Sequence, residues 1–424
     1  MKINQSISRA IAALLLTAIL VTSLSSCTLG YEILENLLFG DEINGDENNS
    51  NTPDDGEDKD DDSQNNQGGN IDNIPGGNIG EFYPGSGTAD TSNIDPLKKS
   101  LLSTVSIISE FSNGSGAGSG VIYSVDKESG DAYIITSYHV IYNGTVAKTV
   151  KVYLYGMHLS SYAIKATLVG GSISEDIALL RVKGSEVIKN SYATAITMAD
   201  SENVRAFDRV YAVGNCEGQG ISATEGIVSV ESEYLDANGS DGNTLSLRVM
   251  RIDAAVNRGN SGGGLFDSQG RLIGIVAAKD SSDGVDNMGY AIPSNLVNAL
   301  VTNIINNCEG TTNKKVLKPI MGVTITSYVS GIQIDPDGSF YQVNLVEVSN
   351  VSKGSLAEGK VMVGDILKYI VIDGVRFDVH KSYHVTDNMF YASAGSVIQL
   401  GILRGETEME IEVVIDDRSI TTIK

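Results

Sequence analysis

Apolar and polar positions divide the chain into three regimes. Ala10 to Leu20 is a nearly unbroken apolar run. Residues 28 to about 93 are dominated by Asn, Asp, Gly, Ser and Pro. After that, short apolar stretches alternate with turn residues to the end. Val105-Ser106-Ile107 and Lys151-Val152-Tyr153-Leu154-Tyr155 follow the two-residue period of a strand. Tyr133-Ile134-Ile135, Ile177-Ala178-Leu179-Leu180, Val210-Tyr211-Ala212-Val213 and Leu272-Ile273-Gly274-Ile275-Val276 are short apolar runs between turn signals. Many short strands with no long helices between them predict barrels or sandwiches. Asp95 as N-cap and Pro96 at the first helical position predict a short helix. A longer helix opens at Pro293-Ser294-Asn295, with Leu296, Val297, Leu300, Val301, Ile304 and Ile305 at helical spacing. It stops near residues 306–310. Thr311 to Lys318 reads as a polar, basic linker. A second unit of about a hundred residues follows, an ordinary domain size. Its predicted strands lie near 321–328, 340–348, 366–372, 396–403 and 408–415, with a helix around Ser382 to Ala392.

Charge sharpens this division. The chain has 424 residues, room for two or three domains at ~150 residues each. It carries 53 acidic and 30 basic side chains, a net charge of −23. Between Tyr31 and Pro96 stand 17 Asp/Glu and one Lys, so residues 97–424 hold only −9. Residues 27–94 therefore read as an acidic, disordered spacer that cannot bury enough apolar surface to offset its ordering entropy. Tyr31 to Phe39 is a local exception, expected as a short helix. The acidic balance excludes nucleic acid as a partner, because phosphate neutralisation needs clustered Lys and Arg.

Residues 1–26 carry Lys2 and Arg9, then the apolar run, then a polar flank at Thr22 to Ser26. That is a secretory address, too short for a spanning helix of ~20 residues. Leu24-Ser25-Ser26-Cys27 resembles the lipobox of bacterial lipoproteins, which makes Cys27 the expected lipidation site and a membrane surface the expected location. Cys216 and Cys308 form no CxxC or Cys/His cluster, so no zinc or redox motif arises. They are expected as buried free thiols, although a disulfide is permitted outside the cell.

The strongest chemical signal is Asn257-Arg258-Gly259-Asn260-Ser261-Gly262-Gly263-Gly264-Leu265. A Ser flanked by Gly suits a tight turn whose backbone N–H groups face outward, as a nucleophile beside an oxyanion hole requires. Upstream, Ile135-Thr136-Ser137-Tyr138-His139-Val140 puts a His just after an apolar run. Between the two, Ser174-Glu175-Asp176-Ile177-Ala178 puts an Asp at the start of another. The order His, Asp, Ser is that of chymotrypsin-like proteases. Gly259-Asn260-Ser261-Gly262-Gly263 also fits the G-x-S-x-G elbow of α/β-hydrolases. That elbow needs a helix after the Ser, whereas Leu265 to Leu272 reads as a β-hairpin, so the elbow is rejected. His158 receives no role.

These blocks, with Gly118-Ser119-Gly120-Val121-Ile122-Tyr123 before them, resemble the HtrA/Deg family of serine proteases. The resemblance runs from about residue 100 to 424. Ser137 stands where the family usually has Asn, Arg258 where Pro is common, and Gly264 where Pro or Ala is frequent. The resemblance implies a mainly β fold: a chymotrypsin-like double β-barrel over 95–308 and a PDZ-like domain over 316–424. It implies Ser261 as nucleophile, His139 as general base and Asp176 as its orienter, with Gly259 and Ser261 N–H groups as the oxyanion hole. No metal or cofactor is required. Ala255, six residues before the Ser, is the implied floor of the specificity pocket, which favours small aliphatic side chains. Ile320-Met321-Gly322-Val323 resembles the carboxylate-binding loop of PDZ domains, which implies capture of peptide C-termini on a strand edge. The expected substrates are misfolded or unfolded extracytoplasmic proteins, and the family implies a homotrimer. The competing expectation is a chaperone or peptide-sensing lipoprotein with an inert protease domain, which the intact His139, Asp176 and Ser261 disfavour.

Overall fold

The computed structural model describes residues 92–238, 242–279, 288–338 and 340–423. The expectations for the signal segment, Cys27 and the acidic spacer lie outside them. The first helix, α1 (Pro96–Ser103), starts where Asp95 and Pro96 predict it: the Asp95 carboxylate accepts from Leu97 N and Lys98 N at 3.0 and 3.2 Å.

Six strands follow: β1 (Thr104–Phe111), β2 (Gly114–Asp126), β3 (Asp131–Thr136), β4 (Thr149–Leu154), β5 (Ile164–Ser172) and β6 (Ile177–Val182). They close into a barrel in the order β1-β2-β3-β6-β5-β4. Six more are β7 (Arg209–Gly214), β8 (Ser222–Asn238), β9 (Thr244–Ile252), β10 (Gly264–Asp267), β11 (Leu272–Lys279) and β12 (Gly289–Pro293). These close in the order β8-β9-β12-β11-β10-β7. Read around the ring from β7, the second barrel repeats the connectivity of the first, the architecture of trypsin-like folds.

The continuous apolar runs have a physical reason. Ile177 and Leu179 on β6 enter the core between the barrels, whereas Ala178 and Leu180 enter the interior of the first barrel. Ile135 and Ile134 split the same way, and so do Val213 and Ala212 in the second barrel. Strands buried on both faces lose the polar half of the alternation. Helix α2 (Ser294–Cys308) fills the shared core with Leu296, Val297, Leu300, Val301 and Ile304.

The C-terminal unit is a sheet ordered β14-β15-β16-β18-β19, built from β14 (Val323–Ile334), β15 (Phe340–Val351), β16 (Ile366–Ile372), β18 (Val397–Arg404) and β19 (Thr407–Val414). Strand β17 (Val375–Asp378) pairs with β16, and helix α3 (Ser382–Asn388) packs Val385 into the core of this unit. The expected 311–318 linker is corrected here. Val316 is fully buried in the inter-barrel core, and β13 (Leu317–Pro319) pairs with β20 (Ile420–Thr422). Three lysines hid an apolar anchor: Lys314 O accepts from Gly171 N at 2.9 Å, which holds the segment on the first barrel.

Candidate active site

Loops from both barrels carry the residues that the sequence singles out. After β3 a single 3-10 turn, Tyr138–Val140, presents His139. Asp176 ends the turn between β5 and β6 with φ of 50°, a left-handed conformation that Asp tolerates. From there Asp176 O accepts from Tyr138 N at 3.1 Å and Asp176 Oδ1 from His139 N at 3.0 Å. Asp176 Oδ2 lies 2.8 Å from His139 Nδ1. A carboxylate accepts, so Nδ1 carries the proton and Nε2 keeps its lone pair. Burial pulls the imidazole down, but the Asp176 charge and hydrogen bond outweigh it, and its pKa lies above the ordinary 6.5. The ring is packed among protein atoms, yet 39% of the side chain stays open to water.

Ser261 lies in the loop between β9 and β10. Gly262 N donates to Val276 O at 2.7 Å, and Ser137 Oγ reaches the same oxygen at 3.4 Å. The Ser261 loop and the His139 turn thus share an acceptor. A Cβ on Gly262, whose φ is 82°, would fall 2.8 Å from Ser137 N. The Ser261 hydroxyl donates to Ala277 O at 3.2 Å. Among the described residues, the ring of His139 bonds to Asp176 alone.

Arg258 O accepts from Glu217 N at 2.8 Å. In a planar trans peptide the following N–H points the opposite way, so Gly259 N–H is turned from Glu217. Among the described residues neither Gly259 N–H nor Ser261 N–H has an intramolecular acceptor. Gly259 has φ of 91°, and a Cβ there would lie 2.1 Å from Asn215 O, so only Gly fits. This arrangement can activate a hydroxyl and receive a negative oxygen on backbone donors. Among the described residues no group of three or more His, Cys, Asp or Glu converges as metal ligands would.

Ala255 is exposed, and its carbonyl accepts from Thr224 Oγ1 at 2.8 Å. The nearby acid, Asp253, is engaged by Ile227 N at 2.6 Å. In the C-terminal unit, Ile320 donates its N–H inward to Ser419 O at 2.7 Å, while Met321 and Gly322 N–H lack an acceptor among the described residues. These residues rim a groove lined by Lys318, Val323, Ile325, Leu367, Val385 and Met389. The Ser261 loop leads into the β10–β11 pair and not into a helix, so the hydrolase elbow has no place here. Among the described residues, Cys216 and Cys308 are both free. Cys308 is buried as expected, but Cys216 is only half-buried because it opens a surface 3-10 turn.

Sequence reasoning missed the Asn215–Glu217 turn that meets the Ser261 loop. The cluster Asn215-Cys216-Glu217-Gly218-Gln219-Gly220 was a visible turn signal, but nothing in it names a partner 40 residues on, about the reach that sequence-local rules lack.

The comparisons with known proteins agree with this geometry. A trypsin-like peptidase domain profile matches residues 118–275. The "Serine protease Do-like HtrA" of Bacillus subtilis (strain 168) is 32% identical over 333 residues, covering 76% of this chain and 68% of the relative. The "Periplasmic serine endoprotease DegP" of Escherichia coli (strain K12) is 34% identical over 305 residues, covering 71% and 57%. A protein of the same name as the first, from Lactococcus lactis subsp. cremoris (strain MG1363), is 38% identical over 216 residues, and the chain spans about half of its length, 48%. Among solved structures, "HtrA-type protease AlgW with tripeptide" superposes with a TM-score of 0.52 at 24% identity, covering 76% of this chain and 96% of that one. That likeness concerns the fold.

Proposed function

The chain belongs to the HtrA family of trypsin-like serine endopeptidases, and on that premise we propose that it cleaves unfolded or misfolded extracytoplasmic proteins through His139, Asp176 and Ser261. The observation that carries the reading is the pairing of an Asp-held imidazole with two unclaimed N–H groups flanking a Gly-borne Ser. Ser261 Oγ attacks the scissile carbonyl, and His139 Nε2 takes its proton. Asp176 holds the tautomer and stabilises the imidazolium. Gly259 and Ser261 N–H receive the developing oxyanion, and the imidazolium then gives its proton to the leaving amine. Ala255 stands at the floor position of the specificity pocket in place of an acid, which favours small aliphatic side chains at the cleaved position. The C-terminal unit acts as a PDZ module: Met321 and Gly322 N–H cap a chain-end carboxylate, and the edge of β14 receives the peptide. Lipidation at Cys27 holds the protein on the outer face of the cell membrane.

The test is digestion of unfolded β-casein by the full chain in detergent, beside Ser261→Ala, with cleavage sites read by mass spectrometry. Cleavage by wild type alone, after small aliphatic residues, supports both the nucleophile and the pocket. Equal cleavage by the two proteins, or cleavage confined to Lys and Arg, overturns one or the other. A second reading, an enzyme held at rest, is favoured by the Ser261 hydroxyl donating to Ala277 O. Activation by added C-terminal peptides separates it from an inert chaperone.

A further inference from the structure

Ser119 lies in barrel one, on β2, yet every polar atom it owns serves the loop that carries Ser261 or the wall beside it. Its N–H donates to Ser261 O at 2.8 Å. Its hydroxyl donates to Gly259 O at 2.6 Å and accepts from Asn215 N at 2.7 Å. Its carbonyl accepts from Thr136 Oγ1 at 2.6 Å. The residue is fully buried. Gly259 and Ser261, the two residues whose carbonyls it holds, are the two whose N–H groups stay unclaimed.

The hydroxyl also closes a ring. Asn215, seated on Ser119 Oγ, starts the turn whose Glu217 N–H holds Arg258 O at 2.8 Å. Both peptide planes beside Gly259 are therefore fixed: the one after it directly through Gly259 O, the one before it through the Asn215–Glu217 turn. Glu217 has φ of 53°, uncommon for a residue with a Cβ, and Gly259 has φ of 91°, where glycine leaves the peptide free to rotate. Without an external hold, the Arg258–Gly259 peptide has little reason to keep its N–H turned toward the cleft.

We propose that the Ser119 hydroxyl is the positioning group of the oxyanion hole, a residue of the first barrel that sets the donors of the second. The inference rests on the catalytic reading of Ser261. It touches no substrate and acts only through Gly259, Ser261 and Asn215.

The experiment compares the full chain with Ser119→Ala and with Thr104→Val. Thr104 is an equally buried hydroxyl of the same barrel that bonds Ser100 O at 2.8 Å, away from the site. Four quantities are read: kcat and KM on a casein-derived peptide, affinity for the matching peptide boronate, affinity for the product peptide, and Tm. Loss of one hole donor typically costs about 10²–10³ in kcat. Ser119→Ala is expected to lower kcat about 100-fold and to weaken the boronate by a similar factor, with KM and product affinity little changed. Thr104→Val is expected to match it in Tm and keep wild-type kcat. Wild-type kcat in Ser119→Ala overturns the proposal, as does an equal loss of kcat in both variants. Should Ser119→Ala not fold, Ser119→Cys, which keeps a weak donor in the slot, is judged by the same kcat and boronate criteria. Wild type that neither cleaves the peptide nor binds the boronate instead sinks the catalytic reading beneath it.

Discussion

His139 is under two opposed influences, burial that disfavours its charge and the Asp176 carboxylate that favours it, and the second prevails. A protonated imidazole cannot accept the Ser261 proton. The acid limb of kcat/KM is therefore expected above 6.5, the ordinary histidine value. The same shift contributes stability that is complete below the unfolded value and is lost as pH rises through the raised one. Asp176→Asn removes the charge but leaves the burial. Its limb should move downward and its rate should fall by about 10⁴, both read from a pH–rate profile on a peptide. A wild-type limb at or below 6.5 would contradict the assignment. Gly259 makes a second residue-scale case. Its Cβ site lies 2.1 Å from Asn215 O, so Gly259→Ala must move the peptide that presents the hole. We expect kcat lower by about 10²–10³ with helix α2 and both barrels retained, checked by circular dichroism beside the rate assay. Gly at this position and the blocks around His139, Asp176 and Ser261 were legible in the sequence because each is a local pattern. Ser119 was not, because its hydroxyl does not differ from that of any strand Ser until the second barrel is folded against it.

The apolar runs that predicted β6 and β11 are the elements the chain announces most clearly, since burial on both faces leaves no room for polar residues. The segment 311–318 shows the converse. Lys314, Lys315 and Lys318 flank the buried Val316 and the half-buried Leu317, and three charges outweigh two apolar side chains in any reading of composition. Asn303, one polar residue on the apolar face of α2, explains what holds this joint. Its Nδ2 donates to Leu317 O and Phe390 O at 2.8 and 2.7 Å, and its Oδ1 accepts from Leu317 N at 3.0 Å. In the C-terminal sheet, Asp365 is almost fully buried and receives Arg404 Nε and Nη2, both at 2.7 Å. Burial raises its carboxyl, but the Arg404 bonds and Met362 N–H hold it below the ordinary 3.8. The stabilisation is therefore present above 3.8 and is lost as pH falls below it. Arg404→Leu leaves that carboxylate without its cation, at a cost of about 3 kcal/mol. Urea unfolding of the variant should show a lowered transition at neutral pH that converges on wild type in strong acid. Equal midpoints at neutral pH would remove the pair from the account of this unit.

At the scale of the whole molecule, the C-terminal unit meets the barrels through Phe390, buried in the inter-barrel core, and through a charged contact that was invisible in the sequence. Arg248 on β9 and Asp387 on α3 read as ordinary strand and helix charges until they meet. Arg248 is only 5% exposed, its Nε lies 2.7 Å from Asp387 Oδ2, and its Cζ sits 4.1 Å from the Tyr383 ring centroid. The N–H is poorly aligned with that oxygen, so the contact is ionic rather than a good hydrogen bond. Around it, burial raises the Glu175 carboxyl despite Lys318, and Glu202 pairs with His384 at 2.8 Å. Glu175 directly precedes Asp176, so the junction borders the loop that orients His139. Arg248→Ala leaves Asp387 buried without its cation, a penalty of about 3–5 kcal/mol. The molecule can relieve it by separating the C-terminal unit from the barrels, since each keeps its own core. The expected result is a larger radius of gyration in small-angle scattering and faster tryptic cleavage after Lys314 or Lys315, with both units still folded. Asp387→Ala added to Arg248→Ala should recover part of the loss, because the carboxylate that Arg248 faced is then gone, and the cycle measures their coupling. Arg209→Ala breaks an exposed pair with Glu225 and should change neither readout. Scattering by Arg248→Ala identical to wild type would mean that the buried Phe390 and Val316, the Asn303 bonds and the Glu202–His384 pair hold the two units together without the Arg248–Asp387 pair.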